Sequence, residues 1–144
     1  MKYQLEANKG KFFDKVFAFP IRVYYEDTDA GGIVYYANYL RFAERVRTEF
    51  IRNLGCFQQN ILEDERCGFT VRKCEIEYLH PAVLDDELVV TCEMREVKGA
   101  SAVMYQEVYR GDELLAIVNV KVAYVNLIKK RPTRIPEYLL NKIK

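Results

Sequence analysis

One histidine, His80, serves the whole of a 144-residue chain, and no G-x-S-x-G elbow occurs in it. A Ser-His-Asp or Cys-His triad therefore has a single candidate base, set before Pro81 in a turn, with no nucleophile nearby in sequence. His80 reads as a loop residue. The four cysteines, Cys56, Cys67, Cys74 and Cys92, form no C-x-x-C pair. They offer neither a zinc site nor the spacing of a secreted disulfide framework, and read as reduced thiols of a cytoplasmic protein. A charge excess is lacking too: Lys plus Arg is 22 and Asp plus Glu is 21, a net charge of +1. Duplex DNA held by its phosphates calls for a basic excess or stripe, so nucleic acid is not an expected partner.

Long apolar runs are also missing. The longest, Leu114 to Val120, contains Asn119 and stops at Lys121, far short of the ~20 residues of a membrane-spanning helix. Met1–Lys11 carries Lys2, Glu6, Lys9 and Lys11 with no apolar core between them, unlike a signal peptide. No repeat, low-complexity tract or Pro/Gly/Ser-rich linker divides the chain. A single soluble domain is expected, able to bury roughly 70% of its unfolded surface without disulfide or metal.

What is present is clear periodicity. Residues 1–18 read as an N-terminal extension whose Phe12, Phe13, Val16 and Phe17 can cover an apolar surface. From Phe19 to Glu26, Phe19, Ile21, Val23 and Tyr25 alternate with Arg22, Tyr24 and Glu26, the period of a strand with one buried face. Asp27-Thr28-Asp29-Ala30-Gly31-Gly32 is turn chemistry. Tyr35, Tyr39, Phe42, Val46, Phe50 and Leu54 then mark one face of a helix roughly 27 to 30 Å long, with Arg41, Arg45, Thr48 and Arg52 on another face and Gly55 as its terminator. A short helix or turn is expected around Gln58–Glu65.

The remainder reads as strands: Phe69–Tyr78 with a bulge near Arg72 and Lys73, then Leu88–Met94, Ala102–Tyr109 and Leu114–Tyr124, the last two joined by the Gly111-Asp112 turn. Short turns leave no room for parallel crossovers. The class is α+β, one long helix against an antiparallel sheet.

With histidine nearly absent, chemistry falls to the segment between the first strand and the helix. Glycines free the backbone there, and a carboxylate precedes a helix N-terminus, whose open N–H groups and positive dipole end can hold a developing oxyanion. One such donor contributes about 3 kcal/mol in acyl transfer, and an adjacent Asp can attack a carbonyl or activate water. The same D-x-D turn can instead be a solvated cap or a metal site, although the surrounding glycines and aromatics add no further ligands. Asp27 and Glu44 read as structural groups, and Asp85-Asp86 as a turn.

Residues Val23 to Tyr35 (VYYEDTDAGGIVY), Asn38-Tyr39 and Phe42 to Glu49 (FAERVRTE) resemble the hotdog-fold acyl-CoA thioesterases. The likeness is to the YbgC type associated with the Tol–Pal system, with 4-hydroxybenzoyl-CoA thioesterase more distant. It continues through Val71-Arg72-Lys73, Glu77-Tyr78 and Leu84-Asp85-Asp86, and so covers residues 19–136; residues 137–144 are left as a C-terminal tail. The resemblance implies a five-stranded antiparallel sheet wrapped around one long central helix, and acyl-CoA as substrate with no metal or redox cofactor. It also implies homodimers or homotetramers with active sites at the interface.

By the same resemblance, Asp29 is the catalytic carboxylate, the backbone N–H of Tyr36 polarises the thioester carbonyl, and Gly31, Gly32 and Val34 border the substrate. YbgC-type proteins usually carry histidine where Tyr36 stands, and the 4-hydroxybenzoyl-CoA enzymes carry tyrosine. The phosphates of coenzyme A call for basic residues, for which Lys98, Lys130, Arg131 and Arg134 are candidates. Rival readings are a hotdog hydratase or dehydratase, and a non-catalytic module binding acyl carrier protein or an envelope partner.

Overall fold

Alternating apolar residues build one antiparallel sheet, and the helical stripe lies across it. The structure, a computed structural model, describes residues 2–54 and 67–143; Gly55, Cys56 and the expected turn at Gln58–Glu65 lie outside them. The strands are β1 (Lys11–Phe13), β2 (Val16–Arg22), β3 (Cys67–Tyr78), β4 (Glu87–Lys98), β5 (Ser101–Arg110), β6 (Glu113–Asn126) and β7 (Arg131–Pro132), with helices α1 (Asn38–Asn53) and α2 (Glu137–Ile143). They form a seven-stranded sheet in the order β1-β2-β4-β5-β6-β3, with β7 on β6.

The five expected strands are therefore β2 to β6, and the expected count of five is corrected to seven among the described residues. The added strands have three residues and two, too short for a period of two to be visible in sequence. Residues 11–18 supply β1 and the start of β2. Before them, Tyr3 packs with Ala18 and Val89 in a small second cluster apart from the main core. The bulge falls where the face switch in Phe69–Tyr78 places it, with the β3–β6 register shifting between Val71 and Lys73.

The α1 stripe is buried as expected at Tyr39, Phe42, Val46, Phe50 and Leu54, joined by Ala43 and Ile51. It packs on Phe17, Phe19, Ile21, Leu88, Val90, Cys92, Met104 and Val118 of the sheet. Each fully buried Phe of this set contributes on the order of 2 kcal/mol. Tyr35 is a correction: it is 45% exposed, because α1 begins at Asn38 and the preceding turn carries Tyr35 off the stripe.

One polar pair is sealed between helix and sheet. Gln106, fully buried on β5, donates from Nε2 to the Ala43 carbonyl at 3.0 Å and accepts from Arg47 Nη1 at 3.0 Å. Burial holds the Arg47 guanidinium below its ordinary pKa, and the amide bonds satisfy groups that would otherwise be costly in the core.

The register defines two ends of the sheet. At one, Arg22 faces Glu87, Tyr109 faces Leu114 and Tyr78 faces Ala116; at the other, Lys98 faces Ser101 and Asn126 faces Cys67. Strand rise over β4 puts them roughly 35 Å apart. The loop carrying Asp29 adjoins the first.

Candidate active site

The β2–α1 loop is shaped by the first of its two aspartates. Val23 continues the pairing of β2, donating its N–H to Asp86 O at 2.9 Å and accepting from Asp85 N–H at 3.0 Å. The expected strand then ends early. Asp27 Oδ2 accepts from Tyr24 N–H at 2.9 Å, and the chain curls into a 3-10 turn at Tyr25–Asp27. Tyr25, expected to alternate inward, is thereby turned out and is 82% exposed. The other Asp27 oxygen, Oδ1, accepts from Asn38 Nδ2 at 2.9 Å, and the Asp27 carbonyl accepts from Tyr35 N–H at 2.8 Å. At 8% exposed, with both oxygens occupied, Asp27 is a tie between the strand end and the first residue of α1.

Asp29 is placed in the opposite way. Its N–H donates to Ile33 O at 2.9 Å and its carbonyl accepts from Gly32 N–H at 3.1 Å, closing a tight turn beside the Thr28–Val34 bridge. Gly32 sits at φ +83°, the left-handed region that favours glycine. The Gly31 N–H donates to Asp29 Oδ1 at 2.8 Å, while Oδ2 has no partner among the described residues. The side chain is exposed. A held but unspent carboxylate of this kind can act on a neighbouring molecule.

Val34 is buried and pins the loop to the following segment, donating to Ala82 O at 2.9 Å. Ala82 N–H in turn donates to the Tyr39 hydroxyl at 3.0 Å. Asp86 fixes that segment, accepting from Val83 N–H at 2.9 Å and from Arg110 Nη1 at 2.6 Å. Asp85-Asp86 thus forms the expected turn, and that turn is part of the frame of the Asp29 loop.

The start of α1 is left open. Its N-cap, Ala37, offers no side-chain bond, and no acidic residue occupies the first turn. Asn38 N–H reaches back to Tyr35 O at 2.8 Å and Leu40 N–H to Ala37 O at 3.1 Å. The N–H groups of Tyr36 and Ala37 have no acceptor among the described residues. Unsatisfied donors at this end of a helix, with the dipole behind them, suit a group gaining negative charge.

Tyr36 borders a groove of about 250 Å³ lined also by Ile33, Val34, Tyr39, Tyr78, Leu79, His80 and Pro81. Sequence reading left Tyr78 and His80 out of the site. His80 is indeed in the loop expected, but that loop forms the groove wall. Tyr78 closes β3, and its hydroxyl donates to Tyr36 O at 2.9 Å; nothing in local pattern shows a contact across 42 residues. Burial raises the Tyr78 and Tyr39 phenols above their ordinary pKa values, so both stay protonated at neutral pH.

The structure therefore brings Asp29, Gly31, Gly32, Val34 and Tyr36 together. It does not bring the basic candidates to them. Lys98 ends β4 at the far end of the sheet, Lys130 and Arg131 follow β6 there, and Arg134 lies beside Gly99, to whose carbonyl Ile135 N–H donates at 3.1 Å. No cluster of His, Cys, Asp and Glu able to hold a metal occurs among the described residues. Among them, too, no helix is long and apolar enough to cross a membrane.

Comparison with known proteins identifies the family. Residues 23–143 match the Thioesterase-like superfamily. The chain is 48% identical to the acyl-CoA thioesterase YbgC of Haemophilus influenzae over 86% of its own length and 91% of that protein's. It is 42% identical to the acyl-CoA thioester hydrolase YbgC of Escherichia coli O6:H1, covering 90% and 96%. A crystal structure of a probable thioesterase from Bartonella henselae superposes with a TM-score of 0.78 at 34% identity, over 83% of this chain and 98% of that one. With a family model matching residues 23–143 and relatives 42% and 48% identical over most of both chains, the chain belongs to the hotdog-fold thioesterase-like superfamily and, within it, to the YbgC family.

Proposed function

We infer that the protein hydrolyses acyl-CoA thioesters to free CoA and a carboxylic acid, with Asp29 as the catalytic carboxylate. The observation that carries this reading is the division of labour in D-x-D. Asp27 spends both oxygens on the fold, while Asp29 keeps one oxygen free in the loop that leads into α1. The carbonyl oxygen would rest on the open N–H of Tyr36, where charge gathered during addition is stabilised. Asp29 either takes a proton from water as the water adds to the carbonyl carbon, or adds to that carbon itself and is freed by water afterwards. In both routes the C–S bond breaks, the thiolate leaves as CoA and takes up a proton, and water supplies the carboxyl oxygen. Gly31, Gly32 and Val34 border the substrate, and the Tyr36 side of the groove would hold its acyl or pantetheine portion.

The phosphates of CoA would meet Lys98, Lys130, Arg131 and Arg134. Since one chain sets these residues at the far end of the sheet from Asp29, a shared site needs a second copy. A homodimer, or a homotetramer built from it, with active sites at the interface is the arrangement proposed. Cytoplasmic residence follows from that substrate, and an acyl carrier protein or a Tol–Pal component is a further candidate partner.

Thiol release from short, long and aromatic acyl-CoAs tests the reading. Asp29→Asn keeps the volume and removes the charge, so turnover should fall by about a thousandfold in a protein that still folds. Full turnover in folded Asp29→Asn protein would sink the assignment. A hydratase or dehydratase is the second reading, favoured by one observation: His80 lines the same groove as Tyr36. Hydration of an enoyl-CoA that is lost in His80→Gln and kept in Asp29→Asn would establish it instead.

A further inference from the structure

Two consecutive peptide groups enter α1 with their N–H ends free, and the carbonyl end of each is held. The Tyr35–Tyr36 peptide has its carbonyl on Asn38 N–H at 2.8 Å. That bond is local, part of the turn that starts the helix. The Tyr36–Ala37 peptide has its carbonyl on the hydroxyl of Tyr78 at 2.9 Å. That bond comes from the last residue of β3, and the Tyr78 ring is wedged edge-on against Tyr39 at 5.4 Å and Tyr36 at 6.5 Å. Ala37 has helical backbone angles, φ −70° and ψ −19°, so its N–H runs out of the N-terminus as a helix donor does.

We propose that Tyr78 is a positioning residue for thioester hydrolysis, fixing the Tyr36–Ala37 peptide so that Ala37 N–H joins Tyr36 N–H as a second donor to the carbonyl oxygen. A donor on a peptide oxygen withdraws electron density and strengthens the N–H of the same peptide, and it holds the peptide plane against rotation before substrate arrives. Both effects act where charge develops in the transition state. The phenol itself points at the protein carbonyl and touches no reacting atom. Deleting it should therefore slow the chemical step and leave ground-state binding alone. This inference rests on the thioesterase reading above.

The test is Tyr78→Phe, which keeps the ring and its packing and removes only the hydroxyl. On the acyl-CoA that the wild type turns over fastest, kcat should fall about tenfold with KM within about twofold and the melting temperature within a few degrees. A second measurement compares two inert analogues of that substrate: a ketone with CF2 in place of sulfur, which adds water to become a tetrahedral mimic of the transition state, and an S-alkyl thioether lacking the carbonyl. Tyr78→Phe should weaken the ketone severalfold and leave the thioether unchanged, a difference that general loosening of the groove would not produce.

An unchanged kcat, or equal weakening of both analogues, overturns the role of Tyr78. Should Tyr78→Phe melt early, the ratio of the two analogue affinities at a temperature where it is folded decides the matter. Asp29→Asn separates the two readings. An active wild type that dies with Asp29→Asn but ignores Tyr78→Phe refutes this inference alone, whereas a wild type with no thioester turnover refutes both.

Discussion

Asn38 donates its side-chain amide to the buried carboxylate of Asp27 at 2.9 Å, 11 positions away along the chain. This bond ties the first residue of α1 to the 3-10 turn that follows β2, and the Asp29 turn and the open helix start lie between its ends. Asn38 is itself 7% exposed, so removing its amide leaves a buried charged oxygen without its partner. Asn38→Ala should cost about 2 to 3 kcal/mol, read from the denaturant midpoint. Turnover should drop with it even where the protein is fully folded, because Asp29 and Tyr36 lose their common anchor. Stability loss with unaltered kcat would show that the loop holds its shape by other means.

The glycines beside Asp29 separate backbone strain from crowding. A Cβ at Gly32 meets nothing within 4 Å, but the residue sits at φ +83°. Gly32→Ala should therefore cost about 1 to 2 kcal/mol through backbone conformation alone. At Gly31 the added carbon lies 3.3 Å from Asp29 Oδ1. Gly31→Ala should leave the melting temperature almost unchanged and reduce kcat by shifting the carboxylate. Paired melting curves and rate constants check both, and the reverse ordering would contradict the placement of the turn.

Gln106 reaches from β5 to the carbonyl of Ala43 in mid-helix, and it also accepts from Arg47. Gln106→Leu fills similar volume with nothing that can bond either group. A loss of about 3 kcal/mol is expected, and the double variant Gln106→Leu with Arg47→Met should recover part of it. Chemical denaturation of the four proteins of this cycle gives the coupling directly, and strict additivity would mean that the pair is not energetically linked.

Alkaline conditions should destabilise the protein through Cys92. Complete burial pushes its thiol up to about 12 from an ordinary 9.0. The unfolded chain releases the thiol proton near pH 9 while the folded one retains it. Fewer protons are then bound in the unfolded state, and stability falls as pH rises from about 9 to 12. Tyr109, also pushed up to about 12 by burial and by Glu107, acts in the same direction above pH 10. Cys92→Ala should flatten the part of this decline that begins near pH 9, offset by a constant loss from the cavity. An unchanged slope in stability against pH would exclude the thiol as its source.

Much of the fold was legible because burial on one face imposes a period. The steps of four and three from Tyr39 to Leu54 can be satisfied only by a helix lying on an apolar surface, and the alternation of β5 and β6 only by strands with one face turned to the core; β4 is instead buried on both faces from Leu88 to Cys92. The bulge at Arg72 was visible for the same reason, as a change of face that a regular strand cannot make. Tyr25 and Tyr35 were misplaced because each continues a period past the point where a polar bond ends the element. The capping of Tyr24 N–H by Asp27 and the turn from Tyr35 to Asn38 override the pattern locally, and hydrophobic periodicity carries no record of either.

The site divides along the same line. Its proposed catalytic segment is contiguous, so the D-T-D-A-G-G run, its position before a helix and its resemblance to the YbgC thioesterases could all be taken from sequence. Which aspartate is spent on the fold follows from the partners each one finds, Asn38 and Tyr24 for Asp27, and only Gly31 for one oxygen of Asp29. The strand order was beyond sequence as well, since β3 pairs with β6 at the sheet edge and thereby delivers Tyr78 to the helix start. That same order sends Lys98, Lys130, Arg131 and Arg134 to the far end. Local periodicity and turn chemistry are properties of neighbouring residues and are written in the chain; which ends meet depends on how the strands pair in space, and only the tertiary structure decides that.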